Sequence, residues 1–394
     1  MIDIKDYLNK IIHGNALDVL QEIPDKSVNS IISSPPYYLK RRYEGIPDYI
    51  WDGDKNCDHN WIEQNSIKMT GGKNGIAPEY NEKRHFEPDV NICSKCGAMK
   101  CQLGNESNKD DYLNHLLQII SECKRILKDD GTMFINLDDT WMTNSSFSVE
   151  GRQGFNKKDG MIYKSDKKIK QKSLMAIPQR FLIACIDDLG LICRNDIHWI
   201  KKNSMPFSGI DRFTHNYENI FFFTKNEKYH FDLDAIRDVP KTKNTLRNKG
   251  ADNYGKHLGL SNNLRNTNNE AGKNPGDVIE FWDDYRKLPL DKYLEMCKEY
   301  YYDEGDILNI PTKGNNEEHY AAYSENLLKK LILAGTPKDG IILDPFAGIA
   351  STVKAAIKFG RNGIGIEGSS KYIEIANKQL TEIRNIKENS KKFI

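Results

Sequence analysis

The sequence predicts an α/β fold built from both ends of the chain, on three observations. Short apolar strands alternate with amphipathic helices over residues 10–37 and again over about 327–387, the rhythm of helices packed on a largely parallel sheet. Two strands, VNSIIS (28–33) and GIIL (340–343), end in proline-bearing turns, at the sheet edge where open α/β folds bind ligands. The chain has 394 residues and 38% hydrophobic content, enough for two or three domain-sized units with a substantial core.

Taken in order, Ile11–His13 reads as a strand, a brief helix follows, and Ser27–Ser33 reads as a second strand. Over 111–128, Leu113, Leu116, Leu117, Ile120, Cys123, Ile126 and Leu127 recur at helical spacing. Asp129, Asp130 and Gly131 form a turn signal that leads into the buried strand TMFINL (132–137). A helix is expected over about 174–189, and strands over 191–201 and 217–225. LLKKLILAG, GIILD, STVKAAIKFG, GIGIE and SKYIEIANKQLTEIRNIK then read as helix, strand, helix, strand and helix.

Two stretches break this rhythm. Residues 40–109 are polar, show no period longer than one turn, and are expected to form an insertion. Residues 240–275 are rich in Asn, Lys and Gly, and an acidic, aromatic, helix-like stretch follows to Asp306. Lys+Arg 57 against Asp+Glu 56 leaves a net charge of +1, so any basic surface is local. One candidate is 151–172, with eight Lys or Arg against two Asp. The N-terminal MIDIKDYLNKIIHGNA carries charges where a secretion signal needs an apolar core, and no apolar run approaches the roughly 18 residues of a membrane span. A soluble, cytoplasmic protein with no membrane partner is expected.

Of eight cysteines, Cys57, Cys93, Cys96 and Cys101 cluster in the insertion, while Cys123, Cys185, Cys193 and Cys297 are scattered. This uneven spacing suggests a metal for the cluster and packing for the rest. Cys93-Ser-Lys-Cys96-Gly97 has zinc-knuckle spacing, because two intervening residues and a glycine let both sulfurs face one tetrahedral ion. Cys57-Asp-His59 supplies the other pair, with Cys101 as an alternative to His59. Structural Zn²⁺ at Cys57, His59, Cys93 and Cys96 is expected.

Ser34-Pro35-Pro36-Tyr37 closes an apolar strand with two residues that lack a backbone N–H. That rigid turn projects a hydroxyl, a proline carbonyl and an aromatic ring into one cleft. Asp344-Pro345-Phe346-Ala347-Gly348 lies between a strand and a helix that includes Thr352, and Glu367 ends the following strand. Small residues there let a cofactor approach the backbone, and Glu367 stands where a carboxylate can grip ribose hydroxyls. The absence of a full G-x-G-x-x-G and the acid in the turn disfavour a pyrophosphate.

Together these motifs resemble those of DNA amino-methyltransferases of restriction-modification systems. Ser34–Tyr37 matches that family's catalytic motif, and Asp344–Gly348 its cofactor motif. Their order, catalytic motif first, is that of the circularly permuted β group. Gly14-Asn15-Ala16-Leu17-Asp18 resembles the family's adenine-binding strand end, with Asn15 where Asp is common, so the Ala16 backbone is left to serve. Asn136–Trp141, Ile197–Lys201 through Glu218 to Lys225, and Gly305–Ala321 resemble further family segments.

The resemblance implies a Rossmann-like S-adenosylmethionine-dependent methyltransferase fold, circularly permuted, with a zinc-knuckle-like insertion and a target-recognition region. Residues 1–39 and 110–230 would form the catalytic half, 40–109 the insertion, 231–310 the recognition region and 311–394 the cofactor-binding half. The implied substrate is double-stranded DNA, with the target base flipped out. A separate restriction endonuclease, a monomeric or homodimeric state and a prokaryotic or phage origin accompany it. Ser at the first motif position resembles the cytosine-N4 subgroup; adenine-N6 methylation on the same fold is the alternative. A catalytically inactive DNA-binding protein and an RNA or protein-amide methylase are weaker readings. A cytosine-C5 enzyme would need a Pro-Cys nucleophile, and no cysteine here follows a proline.

Overall fold

The computed structural model describes residues 3–43, 45–63, 90–142, 169–200, 211–237, 277–280 and 325–391. The N-terminal strand β1 (Lys10–His13) leads through helix α1 (Ala16–Glu22) into β2 (Val28–Ser33). Strands β3 (Tyr49–Trp51), β4 (Trp61–Glu63), β5 (Asn91–Cys93) and β6 (Met99–Cys101) precede helix α2 (Lys109–Ile126) and strand β7 (Leu127–Leu137). Helix α3 (Ile177–Asp187), β8 (Ile192–Ile200), β9 (Tyr217–Thr224) and β10 (Val278–Glu280) follow. The C-terminal part runs α4 (Glu325–Gly335), β11 (Ile341–Asp344), α5 (Ser351–Lys358), β12 (Asn362–Glu367) and α6 (Ser370–Lys391).

Among the described residues, one eight-stranded sheet has the order β1-β12-β11-β2-β7-β9-β8-β10. Strands β1, β12, β11, β2 and β7 are mutually parallel, and β9 lies antiparallel to both β7 and β8. The N-terminal β1 pairs with the C-terminal β12, Lys10 against Ile364 through His13 against Glu367. The two ends of the chain are therefore neighbours in one sheet, as the permuted motif order predicts.

Alternate side chains of each central strand enter opposite cores, which is why these strands are apolar at nearly every position. Ile31, Met133, Ile135, Leu343, Phe221 and Phe223 pack with α1, α2 and α3 on one face. Ile32, Phe134, Ile342, Ile220 and Phe222 pack with α4 and α5 on the other. Helices on both faces of a mostly parallel sheet make the fold α/β and Rossmann-like.

Two expectations are refined. The turn expected at Asp129–Gly131 is an irregularity inside β7, where Val28 and Ser30 face Leu127 and Thr132. More residues of β7 than of β2 span that step, and they bulge out before pairing resumes. Gly131 is needed there, since a Cβ would lie 2.9 Å from the Asn29 carbonyl oxygen.

The insertion also holds regular structure, a small antiparallel sheet in the order β3-β6-β5-β4. It is anchored to α2 through His115, whose Nδ1 lies 3.0 Å from Glu106 Oε1 and whose Nε2 lies 3.1 Å from Asp52 Oδ2. Trp51 stacks on the His115 ring at 4.4 Å. Burial opposes protonation of His115, but the two carboxylates outweigh it and raise its pKa.

Most of the expected recognition region, and most of the basic stretch 151–172, lie outside the described residues. Within 231–310, Val278–Glu280 adds an edge strand to the main sheet beside β8. No described helix is long and apolar enough to cross a membrane.

Candidate active site and metal centre

Strands β11 and β2 are adjacent and parallel, with Leu343 facing Ile31. The chain leaves β11 toward β12 on one side, whereas β2 and β7 extend the sheet on the other. This is a topological switch point, where the carboxyl ends of the strands open a crevice. Both sequence motifs end there, Ser34–Tyr37 after β2 and Asp344–Gly348 at the end of β11.

Asp344 is buried, and its carboxylate shapes the turn. Oδ1 accepts from Ser33 Oγ at 2.6 Å and from the Phe346 N–H at 3.0 Å, while Oδ2 accepts from Thr352 Oγ1 at 2.7 Å. Burial raises its pKa, against the lowering effect of those donors. Gly348 (φ +51°) and Ala350 (φ +68°) carry the chain through left-handed conformations into α5. At the end of β12, Glu367 accepts from the N–H of Gly348 at 2.9 Å and of Ser369 at 2.7 Å. Its pKa is likewise raised by burial. Ala347 N–H donates to Ile366 O, which holds Pro345–Gly348 against β12. Asn15 caps α1, its side chain accepting from Leu17 N–H at 2.8 Å, and Gly14 N–H donates to Glu367 O. Asn15, Ala16, Glu367 and Asp344 therefore mark the carboxyl ends of three neighbouring strands.

At the Ser34–Tyr37 turn, Pro35 is buried and Ser34, Pro36 and Tyr37 are half-buried. Ser34 Oγ donates to Tyr37 Oη at 2.9 Å, and Tyr37 Oη donates to Glu218 Oε2 at 2.9 Å. Asn136 Nδ2 donates to Tyr37 Oη at 2.7 Å and to Glu218 Oε2 at 2.6 Å. Its Oδ1 is buried with no partner among the described residues. The fully buried Tyr112 donates to Pro36 O at 2.9 Å and fixes the proline turn. Asp139 instead caps α3, accepting from Ile177 N–H at 3.1 Å.

The insertion reaches this site. Leu39 N–H donates to Gly104 O at 2.7 Å. Gly104 (φ +91°) passes so near that a Cβ would lie 2.9 Å from Tyr37 O. Gln102 accepts from Tyr43 N–H and donates to Tyr43 O and Ile46 O. Tyr43 itself is raised in pKa, chiefly by burial and partly by the nearby Glu367 and Tyr372. Gln102 and Gly104 thus brace the segment that follows Tyr37, through Leu39, Tyr43 and Ile46. Gln102, Gly104 and Tyr43 fall inside the expected insertion 40–109 and Tyr112 inside the expected helix, with no local signal for their part in the site.

Cys57 Sγ, His59, Cys93 Sγ and Cys96 Sγ place one ligand atom each within 4.8 Å of one another. Cys57 Sγ and Cys93 Sγ are 3.9 Å apart, and Cys96 Sγ is 3.4 Å from His59 Nδ1. Tetrahedral zinc, with Zn–S of about 2.3 Å and Zn–N of about 2.0 Å, requires edges of about 3.8 Å and about 3.5 Å. Those two edges match the ion, and three thiols with one imidazole are a donor set that suits it. Burial opposes ionisation of Cys93, but backbone N–H donors at Cys96, Lys95 and Asn60 and the His59 side chain bring its thiol down to about 6, favouring the thiolate that binds metal. Cys101 is not among these ligands; it is buried in β6, where its carbonyl accepts from Trp51 Nε1.

A DNA methylase family model for N6 and N4 methylases matches residues 28–378. The type II methyltransferase M.Cfr9I of Citrobacter freundii is 26% identical over 94% of this chain and 87% of its own length. M.SfiI of Streptomyces fimbriatus, also a type II methyltransferase, is 26% identical over 91% of this chain and 88% of its own. The solved structure of PvuII DNA methyltransferase (cytosine-N4-specific) aligns with 95% of this chain and 90% of that one, with a TM-score of 0.49 and 15% identity. With the family model spanning both motifs and the sheet between them, the chain belongs to the N6/N4 DNA methylase family of restriction-modification amino-methyltransferases.

Proposed function

We propose that the protein methylates the exocyclic N4 amine of cytosine in double-stranded DNA, using S-adenosylmethionine. The observation that carries this reading is the meeting of the two motifs at one switch point, where Ser33, the residue before Ser34, bonds to Asp344. Asp344, Pro345, Phe346, Ala347, Gly348 and Thr352 would form the wall of the donor pocket, and Glu367, Asn15 and Ala16 its nucleoside end. S-adenosylmethionine supplies a methyl group on a positively charged sulfur. An amine of an aromatic ring is a weak nucleophile, because its lone pair is delocalised. Acceptors on its hydrogens, Ser34 Oγ and the Pro35 carbonyl, favour a tetrahedral nitrogen aimed at the methyl carbon. On transfer the sulfur of the bound donor would keep the electron pair of its bond to the methyl group, and the methylated nitrogen would shed its proton to solvent. Pro35 and Pro36 keep these acceptors in place, and Tyr37, held by its hydroxyl, offers its ring to the flipped base.

The cytosine assignment rests on the neutral Ser34, and adenine-N6 is the alternative on the same scaffold. Zn²⁺ bound by Cys57, His59, Cys93 and Cys96 would be structural, stiffening the four-stranded insertion that braces the Tyr37 loop. In this reading, 231–310 carries target recognition, with 1–39 and 110–230 as the catalytic half and 311–394 as the cofactor half. A separate endonuclease would share the recognition site, and the enzyme would act in the cytoplasm as a monomer or homodimer. Incubation with duplex DNA and methyl-labelled S-adenosylmethionine tests the reading. Label in the DNA is expected; label only in RNA or protein would overturn it.

A further inference from the structure

Glu218 belongs to neither motif, yet it is 4% exposed and sits at the end of a hydrogen-bond chain that begins at Ser34. Strand β9 brings it there, opposite Trp199 of β8 and next to Asn219, which pairs with Leu137 of β7. The direction of the chain follows from donor counting. A carboxylate only accepts, so the single phenolic proton of Tyr37 goes to Glu218 Oε2. Asn136 Nδ2 donates both to that oxygen and to Tyr37 Oη. Tyr37 Oη can then only accept from Ser34, which commits the Ser34 proton inward at 2.9 Å. What Ser34 has left to offer the cleft is lone pairs.

We infer that Glu218 is a positioning residue that fixes the polarity of the Glu218–Tyr37–Ser34 chain, making Ser34 an obligatory acceptor and the target pocket selective for an amine over a carbonyl. The inference rests on the proposed role of Ser34 toward the amine. A ring carbonyl at the same place would set two acceptors against each other, with no proton between them. Such a mismatch is a strong basis for rejection. Bonds within the chain also polarise one another, so the distant carboxylate makes Ser34 a better acceptor as the amine nitrogen pyramidalises.

Glu218→Gln keeps the shape but supplies an amide that can donate to Tyr37 and let the chain reverse. The test uses the full chain and a duplex carrying the methylated site mapped from DNA modified by the wild-type protein. In the probe duplex the target base is replaced by its carbonyl analogue, uracil for cytosine or hypoxanthine for adenine. Glu218→Gln should lower turnover by about ten- to a hundredfold, leave cofactor affinity within about threefold, and reduce the amine-over-carbonyl binding preference by about tenfold relative to wild type. In a Ser34→Ala background the same substitution should cost less than about twofold in turnover, since Glu218 acts through Ser34. Should Glu218→Gln fail to fold, Tyr37→Phe cuts the same chain and should erode the same preference. Unchanged turnover and preference in Glu218→Gln, or losses that multiply with Ser34→Ala, would overturn the inference. A wild-type protein that places no methyl group on DNA would overturn the proposed function itself, and this inference with it.

Discussion

Ser33 Oγ donates to Asp344 Oδ1 at 2.6 Å, joining residues 311 positions apart. Ser33 ends the strand that leads into the Ser34–Tyr37 turn, and Asp344 opens the Asp344–Gly348 turn. In the proposed function, this bond would set the distance between the methyl acceptor and the methyl donor. Ser33→Ala removes one of the donors to a buried carboxylate, and a loss of about 1.5–3 kcal/mol of stability is expected, with weaker cofactor binding. Denaturant unfolding and a cofactor titration check both. Asp344→Ala, which also frees Thr352 and Phe346, should weaken cofactor binding further.

The neighbouring hydroxyl behaves differently. Ser34→Ala should leave cofactor affinity within a few-fold while turnover falls by about two decades, the effect of losing a preorganised acceptor. Single-turnover kinetics separates the two quantities. Turnover near wild type would remove Ser34 from its role.

Gly104 tests the coupling between the insertion and the Ser34–Tyr37 turn. Ala at this position would strain a φ of +91° and press a methyl group to 2.9 Å from Tyr37 O. A destabilisation of about 1–2 kcal/mol is expected, with a clear drop in turnover and little change in metal content. Thermal unfolding and initial rates read the two effects.

Metal analysis of the purified protein should find one zinc per chain, and chelation should open the β3–β6 sheet to proteolysis. Activity should decline with the metal because Leu39 hangs on Gly104 O. Cys96→Ser should reproduce the loss. A chelated protein with full activity would separate the insertion from the site.

Burial lifts Asp344 and Glu367 above their ordinary values of 3.8 and 4.5. Both carboxyls therefore take up protons at a higher pH than exposed acids do. As pH falls through that window, acceptors for Ser33, Thr352 and Gly348 are lost, and cofactor affinity should decline. The fold moves the other way. A carboxyl whose folded pKa is raised favours the folded state at low pH, and that contribution is lost as pH rises through the folded pKa. Calorimetric titration of cofactor binding against pH should show this proton linkage.

The sheet was legible in the sequence because its strands are buried on both faces and leave unbroken apolar runs such as IFFF and IIL. The two motifs were legible because proline turns and small-residue turns are local signals. The four-stranded insertion was not, since strands of three residues, such as Asn91–Cys93, are too short to show a period. Nor was the bulge at Asp129–Gly131, which has the same residues as a turn. The residues that tie the site together, Glu218, Tyr112 and Tyr43, act over long sequence separations. Nothing in their neighbours records a partner such as Tyr37, 181 positions from Glu218.

The most direct measurement is mass spectrometry of nucleosides from plasmid DNA after incubation with the purified protein and isotopically labelled S-adenosylmethionine. Labelled N4-methylcytosine is the predicted product, and it would establish donor, base and the meaning of Ser34 together. Labelled N6-methyladenine would contradict the cytosine assignment while leaving the fold and site in place. DNA that carries no label, from a protein that binds the cofactor, would contradict the proposed function altogether.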